Sequence, residues 1–184
     1  MSQGSGARRH ELRGGSVEPH SLGSKRRHQV AVIGSSGVEL ESELGCLARE
    51  LGRLLAEAGV TVVCGGLTGV MEAVCRGAIE AGGEAIGIVP GNDVTEANPH
   101  CTHVVATGIG HARNLAVVAS GEAVIAIGGE WGTLSEIGFA RAIGRPVIAL
   151  RSWALTGRER MEDAPGVLPA DTARESVDLA LESL

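Results

Sequence analysis

The sequence predicts an α/β fold: a doubly wound parallel sheet of about six or seven strands with helices on both faces. Three observations predict it. Short apolar runs recur along the chain, and most lead through a glycine-containing turn into a stretch of helical periodicity. The runs are apolar at consecutive positions, as in strands buried on both faces. Strands alternating with helices, joined by right-handed crossovers, wind outward from the first strand, most simply in the order 3-2-1-4-5-6.

Val30–Ile33 reads as the first strand, broken by Gly34-Ser35-Ser36-Gly37. Leu40, Leu44, Leu47, Ala48, Leu51, Leu54 and Leu55 then follow at helical spacing, and Gly59 ends that helix. Val60–Cys64 is the second strand, and Gly69–Ala81 a helix stopped by Gly82-Gly83. Ala85–Val89 and His103–Ala106 are the third and fourth strands, separated by a polar, irregular stretch. A helix from about His111 to Ala119 leads to the fifth strand, Ala123–Ile127, and a helix over Leu134–Ile143 to the sixth, Pro146–Leu150. Arg151–Ala170 reads as a loop, and Thr172–Leu184 as a final helix with Thr172 and Glu175 at capping-box spacing.

The predicted order gathers the C-terminal ends of strands one, four and five at the switch point, where ligands of such sheets bind. The turns emerging there are Gly34–Gly37, Gly108–Asn114 and Gly128–Thr133. In the last of these a buried strand runs through three glycines, Gly128, Gly129 and Gly132, into a helix start. Backbone without Cβ atoms lets a ligand approach closely, and the free N–H groups of a helix N-terminus suit a phosphate. Gly65-Gly66-Leu67-Thr68-Gly69-Val70-Met71-Glu72 is a second glycine turn at a helix start; its plainer reading is a tight connection.

With 184 residues, the chain fits one domain, residues 28–184, behind a disordered basic leader, residues 1–27. Aromatics are only 2%, so the core must be built from Val, Ile, Leu and Ala. The net charge is −6, of which the leader carries +4, leaving −10 on the rest and arguing against a nucleic-acid partner. No apolar run approaches the roughly 18 residues of a membrane span. Cys46, Cys64, Cys75 and Cys101 form no CxxC and read as small core residues of a reduced, cytoplasmic protein.

Several chemistries fail on the residues present. An NAD site needs GxGxxG after the first strand and an acid after the second; the chain has Gly34-Ser35-Ser36-Gly37 and Cys64-Gly65-Gly66. A P-loop and a pyridoxal-phosphate site each need a lysine, and Lys25, in the leader, is the sole lysine. His100 and His103 flank Cys101 and Thr102 with no further ligand group nearby, so no metal site is expected. Two charged residues stand out. Arg113 lies in a first helical turn, where a cation opposes the dipole unless an anion, a ligand or a neighbouring acid, compensates. Glu136 is either a pocket carboxylate or the far end of a capping box with Thr133; Ser36 and Glu39 share that spacing. His111 sits beside Arg113 and reads as facing solvent, while Trp131 either stacks on a ligand or covers a subunit contact.

The Gly65–Glu72 turn, Ala112-Arg113-Asn114 and Gly128-Gly129-Glu130-Trp131-Gly132-Thr133-Leu134-Ser135-Glu136, in that order, resemble the Lonely Guy (LOG) family, once labelled lysine decarboxylases. The likeness runs from about Val30 to Trp153. Val63-Cys64-Gly65-Gly66, Pro90-Gly91-Asn92-Asp93, Ala97-Asn98-Pro99 and Thr107-Gly108-Ile109-Gly110 are most similar to the molybdenum-cofactor carrier-like branch. The resemblance implies a Rossmann-like homo-oligomer, a dimer or larger. In the hydrolase branch it implies cleavage of nucleoside 5′-monophosphates to free base and ribose 5-phosphate; in the carrier branch, protective binding of a phosphorylated pterin. The hydrolase motif carries a proline where this chain has Ile127 and a lysine where it has Asn114.

Two readings follow. In the first, a binding protein requiring no resident cofactor holds a molybdopterin-type or AMP-like ligand. Backbone N–H groups at Gly129, Gly132 and Thr133, with Arg113, hold its phosphate. The turns of Gly34, Ser35, Ser36, Gly65, Gly66, Gly69 and Met71 shape the rest, and Asn114 and Gly128 are further ligand-binding candidates. In the second, an N-glycosidase acts on a nucleoside monophosphate: Arg113 orients the substrate and Glu136 stabilises the cationic sugar. A subunit-interface protein with a vestigial pocket is the plainest alternative.

Overall fold

The computed structural model describes residues 26–153 and 166–184. The expected leader therefore lies outside the described residues except for Arg26 and Arg27, which pair with Glu122 at 3.2 Å and Glu84 at 3.5 Å.

Seven strands form one wholly parallel sheet: β1 (Gln29–Gly34), β2 (Thr61–Cys64), β3 (Ala85–Val89), β4 (His103–Ala106), β5 (Ala123–Ile127), β6 (Val147–Leu150) and β7 (Val167–Ala170). Five helices connect and cover them: α1 (Glu43–Glu57), α2 (Val70–Glu80), α3 (Arg113–Ser120), α4 (Trp131–Ala142) and α5 (Ala173–Glu182). The α/β doubly wound class holds. Along β1 alternate side chains enter opposite cores. Val30 and Val32 join Leu51, Leu54, Val74 and Val177 under α1, α2 and α5; Ala31 and Ile33 join Val117, Val118 and Ile137 under α3 and α4.

The strand order is 4-3-2-1-5-6-7, which corrects the predicted 3-2-1-4-5-6. β4 pairs with β3 at the sheet edge, Ile86 opposite His103, and β1 pairs directly with β5, Val30 opposite Ala123. The reason is visible in β4 itself. His103 and Val105 are exposed, so the strand has one wet face and suits an edge, not the centre of a doubly covered sheet. The chain then crosses back through α3, which packs on β1, β2 and β3, before entering β5. The switch point thus lies between β1 and β5.

β7 corrects the loop expected up to Ala170. Its short length and Pro169 hide it in the sequence, and proline is tolerated because β7 is an edge strand, paired only with β6 among the described residues. Helix α5 starts as predicted. Thr172 Oγ1 accepts from Glu175 N at 3.1 Å, although the Glu175 carboxylate accepts from Asp171 N, one residue upstream of the capping-box position. Neither of the other two capping-box spacings is one. Helix α1 is capped by Ser42, whose hydroxyl accepts from Gly45 N, not by Ser36. Helix α4 starts at Trp131 with Glu130 as its N-cap, which places Thr133 inside the first turn.

Helices α1 and α2 approach closely enough for two glycines to be obligatory. A Cβ on Gly52 would stand 2.0 Å from Val74 O, and one on Gly77 would stand 1.8 Å from Arg49 O. Among the described residues no helix is long and apolar enough to cross a membrane.

Candidate functional site

Above the C-terminal ends of β1, β2 and β5 lies a cavity of about 200 Å³. Its walls are close backbone contacts. A Cβ on Gly34 would stand 2.7 Å from Ile127 O and 2.8 Å from Val70 Cγ1, so the β1 turn rests on both β5 and α2. Gly69 has φ 69° and sits against the Ser35 carbonyl, which accepts from Val70 N at 3.1 Å. Thr68 Oγ1 donates to Ser36 O at 3.0 Å, closing the same junction. Buried Asn98 braces the next turn by donating its side-chain amide to Gly66 O at 3.1 Å and Leu67 O at 2.9 Å.

Three helices begin at this cavity, and none has a side-chain cap: α2 behind Gly69, α3 behind Ala112 and α4 behind Glu130. The other two, α1 and α5, are capped by Ser42 and Thr172. The site therefore collects helix starts without side-chain caps, where the positive ends of the helix dipoles lie. Val70 N at α2 donates to Ser35 O, and α3 runs on from a 3-10 turn, Gly110–Ala112, so that Arg113 N donates to Gly110 O. The start of α4 faces the cavity at Gly132 and Thr133. At α4, Gly129 has φ 108°, and a Cβ there would stand 2.5 Å from Thr133 Cβ. That contact tucks the Thr133 side chain inward, leaving it buried. Among the described residues, and apart from its chain neighbours and its own helix backbone, no heavy atom lies within 4 Å of the Cβ position of Gly132, so the helix start is open on that side.

Arg113 and Glu136 are the buried charges of the cavity, 7% and 8% exposed. Their closest atoms, Arg113 Nη1 and Glu136 Oε1, are 3.9 Å apart, beyond hydrogen-bond reach. Nη1 instead donates to Asn114 Oδ1 at 2.6 Å, and Nε is buried with no partner among the described residues. Burial pushes the arginine below its ordinary pKa, partly opposed by Glu136. The Glu136 carboxyl is pushed up to about 7 by burial, with Arg113 pulling the other way. The pair is thus an incomplete one: each partner remains under-compensated, and the guanidinium retains unused donors.

Most of the sequence-predicted residues come together. Gly34, Ser35, Ser36, Gly65, Met71, Arg113, Asn114, Gly132, Thr133 and Glu136 line the cavity. Gly66, Gly69, Gly128 and Gly129 do not; they hold positive φ in the turns behind it, at 71°, 69°, 54° and 108°. Sequence reasoning missed Val32, Ile33, Leu67 and Glu130 as lining residues. The first three carry no polar signal, while Glu130 lay inside a motif already singled out. His111 is exposed, as expected, yet it lines the mouth.

Residues 27–177 match the SLOG cluster4 family. The chain belongs to that family. Within the LOG-like superfamily it stands near the molybdenum-cofactor carrier branch, as three likenesses show. A solved molybdenum cofactor binding protein from Rippkaea orientalis is 32% identical; the match covers 86% of this chain and 98% of that one, with a TM-score of 0.75. The molybdenum cofactor carrier protein of Chlamydomonas reinhardtii is 28% identical over 86% and 98% of the two chains, with a TM-score of 0.73. A probable cytokinin riboside 5′-monophosphate phosphoribohydrolase of Oryza sativa subsp. japonica, LOGL5, is 30% identical over 62% of this chain and 48% of its own.

Two departures from the LOG hydrolase motif are interpretable in this SLOG cluster4 structure. Asn114, in place of lysine, exchanges a second cation for an acceptor that holds Arg113. Ile127, in place of proline, is fully buried as the last residue of β5, opposite both Gly34 and Leu150.

Proposed function

We propose that this SLOG cluster4 protein binds a small phosphorylated molecule, and that the molecule is a phosphate-bearing pterin held as cargo, as in a molybdenum-cofactor carrier. The observation that carries the reading is Arg113, a buried cation facing a cavity ringed by helix starts that lack side-chain caps. Its nearest carboxylate, Glu136, stands 3.9 Å away without a hydrogen bond, and its Nε has no partner among the described residues. A buried charge in that state is costly, and a phosphate supplies what it lacks. The phosphate sits on the N–H groups at the start of α4 beside Gly132 and Thr133, with Arg113 at its flank. Ser35, Ser36 and Met71 border the remainder of the ligand. Likeness to two proteins named for binding or carrying the molybdenum cofactor supports a pterin as the ligand. The test is to purify the chain from a cell that makes the cofactor and oxidise the extract. Pterin fluorescence is expected in the wild type and not in Arg113→Met. No fluorescence, together with no uptake of added cofactor, overturns the reading.

A second reading is favoured by Glu136. A carboxyl with a pKa of about 7 beside a cation can hold or release a proton near neutrality, as a glycosidase acid or base must. Under it the chain releases ribose 5-phosphate from AMP or N6-substituted AMP, and Glu136→Gln abolishes release. Intact nucleotide after incubation with wild-type protein removes this reading and leaves the first untouched.

We also propose that two copies pair through α3 and α4. Trp131, Ser135 and Phe139 recur every fourth residue along an exposed stripe of α4 that continues to its C-cap Ile143, and Leu115 is exposed on α3, which packs against α4.

A further inference from the structure

Three of the four cysteines meet behind the cavity. Cys64 ends β2, Cys75 lies on α2 and Cys101 lies just before β4. Cys64 Sγ and Cys75 Sγ are 3.4 Å apart, and Cys75 Sγ and Cys101 Sγ 3.8 Å. Cys64 and Cys75 are buried, Cys101 is half-buried and Cys46 is exposed. Small core side chains need no such convergence of sulfurs from two elements and a loop. A disulfide requires about 2.05 Å between sulfurs, so closing either contact takes a shift of less than about 2 Å. Of the three, Cys101 has the freedom to move, because it lies in irregular chain while the others are held in a central strand and a helix.

The segment that carries Cys101 also braces the cavity wall. Cys101 N donates to Asn98 O at 3.3 Å, and Asn98 donates its backbone N to Gly66 O at 2.7 Å and its side-chain amide to Gly66 and Leu67. Asn98 Nδ2 also lies 3.9 Å from Cys75 Sγ. Gly65 and Leu67, on either side of Gly66, line the cavity.

We infer that Cys75 and Cys101 form a reversible disulfide, and that its formation draws Cys101 toward α2 and loosens the Asn98 brace on the Gly65–Leu67 turn. The oxidant is a peroxide. The Cys101 thiolate attacks one peroxide oxygen; the O–O bond breaks, leaving a sulfenic acid and hydroxide. Cys75 sulfur then attacks the Cys101 sulfur, the S–O bond breaks, and the hydroxyl leaves as water with the Cys75 proton. In sum, two thiols and hydrogen peroxide give one disulfide and two waters, and an external dithiol returns the two electrons. Cys101 reacts first because it is the least buried of the three residues, and donation from the Cys64 and Cys75 thiols lowers its pKa. Hydrogen bonding to Cys101 and Cys64, with burial, raises that of Cys75.

The experiment treats the full chain, carrying Cys46→Ser to prevent links between molecules, with a few equivalents of hydrogen peroxide. The expected product has lost two hydrogens, and non-reducing peptide mapping joins Cys75 to Cys101. Amide exchange across Gly65–Leu67 rises on the order of tenfold and returns to its starting rate with dithiothreitol. Cys101→Ser, at the half-exposed position, and Cys75→Ala each abolish the mass loss; the first serves should the second fail to fold. Addition of one or more oxygens to Cys101 without a crosslink overturns the proposal, as does a link between Cys64 and Cys75 that persists in Cys101→Ser. A Cys75–Cys101 link that leaves exchange across Gly65–Leu67 unchanged overturns the coupling. Neither readout involves a ligand, so the result stands apart from the binding function proposed above.

Discussion

A methyl group on Gly65 would stand 2.6 Å from Arg113 Nη2 and 2.7 Å from both Nη1 and Met71 Sδ, so the guanidinium rests on bare backbone. Gly65→Ala is therefore expected to push Arg113 off its seat and weaken AMP or molybdenum-cofactor binding roughly tenfold or more, read by calorimetry. Full affinity in that variant would separate Arg113 from ligand binding. The second residue-scale prediction concerns Glu136. Its carboxyl pKa is raised from 4.5 in the unfolded chain to about 7 in the fold, so between those values the folded state binds more protons. The associated stability is fully present below about pH 4.5 and is lost as pH rises through about 7. The loss is on the order of 1–3 kcal/mol, the opposing pull of Arg113 being already contained in the shift. Urea denaturation from pH 5 to pH 8 should show the wild type losing stability relative to Glu136→Gln. Parallel curves would mean the carboxyl is ionised throughout. Arg113 and Glu136 were visible in the sequence as unusual charges near helix starts. That they stand too far apart to hydrogen-bond was not, because 3.9 Å rather than about 2.8 Å is a consequence of how α3 and α4 pack.

At the scale of elements, the α1–α2 contact shows why the helical glycines are there. Replacing Gly77 by Ala drives a methyl group into the Arg49 carbonyl, and the helices must separate. A loss of about 1–3 kcal/mol or more is expected from chemical denaturation, far beyond the small gain alanine brings to an isolated helix. A neutral Gly77→Ala would show that the helices can slide apart freely. Helical periodicity placed both helices correctly, since the apolar stripes of α1 and α2 face one core. The same reasoning missed β7 and misplaced β4, both edge strands. An edge strand is short, half-wet and tolerant of proline, so its sequence differs little from a loop.

At the scale of the molecule, exposed Trp131, Phe139 and Ile143, along α4 and at its end, with exposed Leu115 on α3, carry the proposed pairing. Trp131 is 78% exposed and lies against Trp153, the rings tilted by 35° at a centroid distance of 5.6 Å. Phe139→Glu is expected to shift the chain from dimer to monomer in sedimentation at micromolar concentration without loss of fold; a wild-type monomer would refute the pairing. The sequence alone determined the α/β class, the run from β1 to β6, the five helices and the three glycine turns. All of these rest on local chemistry: apolar periodicity, glycine conformation and the unpaired groups of helix starts. Only the tertiary structure decided which strands are neighbours, where the switch point falls and which motif glycines face the cavity. Those depend on contacts between residues far apart in the chain, where Gly34 meets Ile127 and Gly65 meets Arg113. Strand pairing is decided by which faces the whole molecule leaves dry, and no single stretch of sequence carries that information.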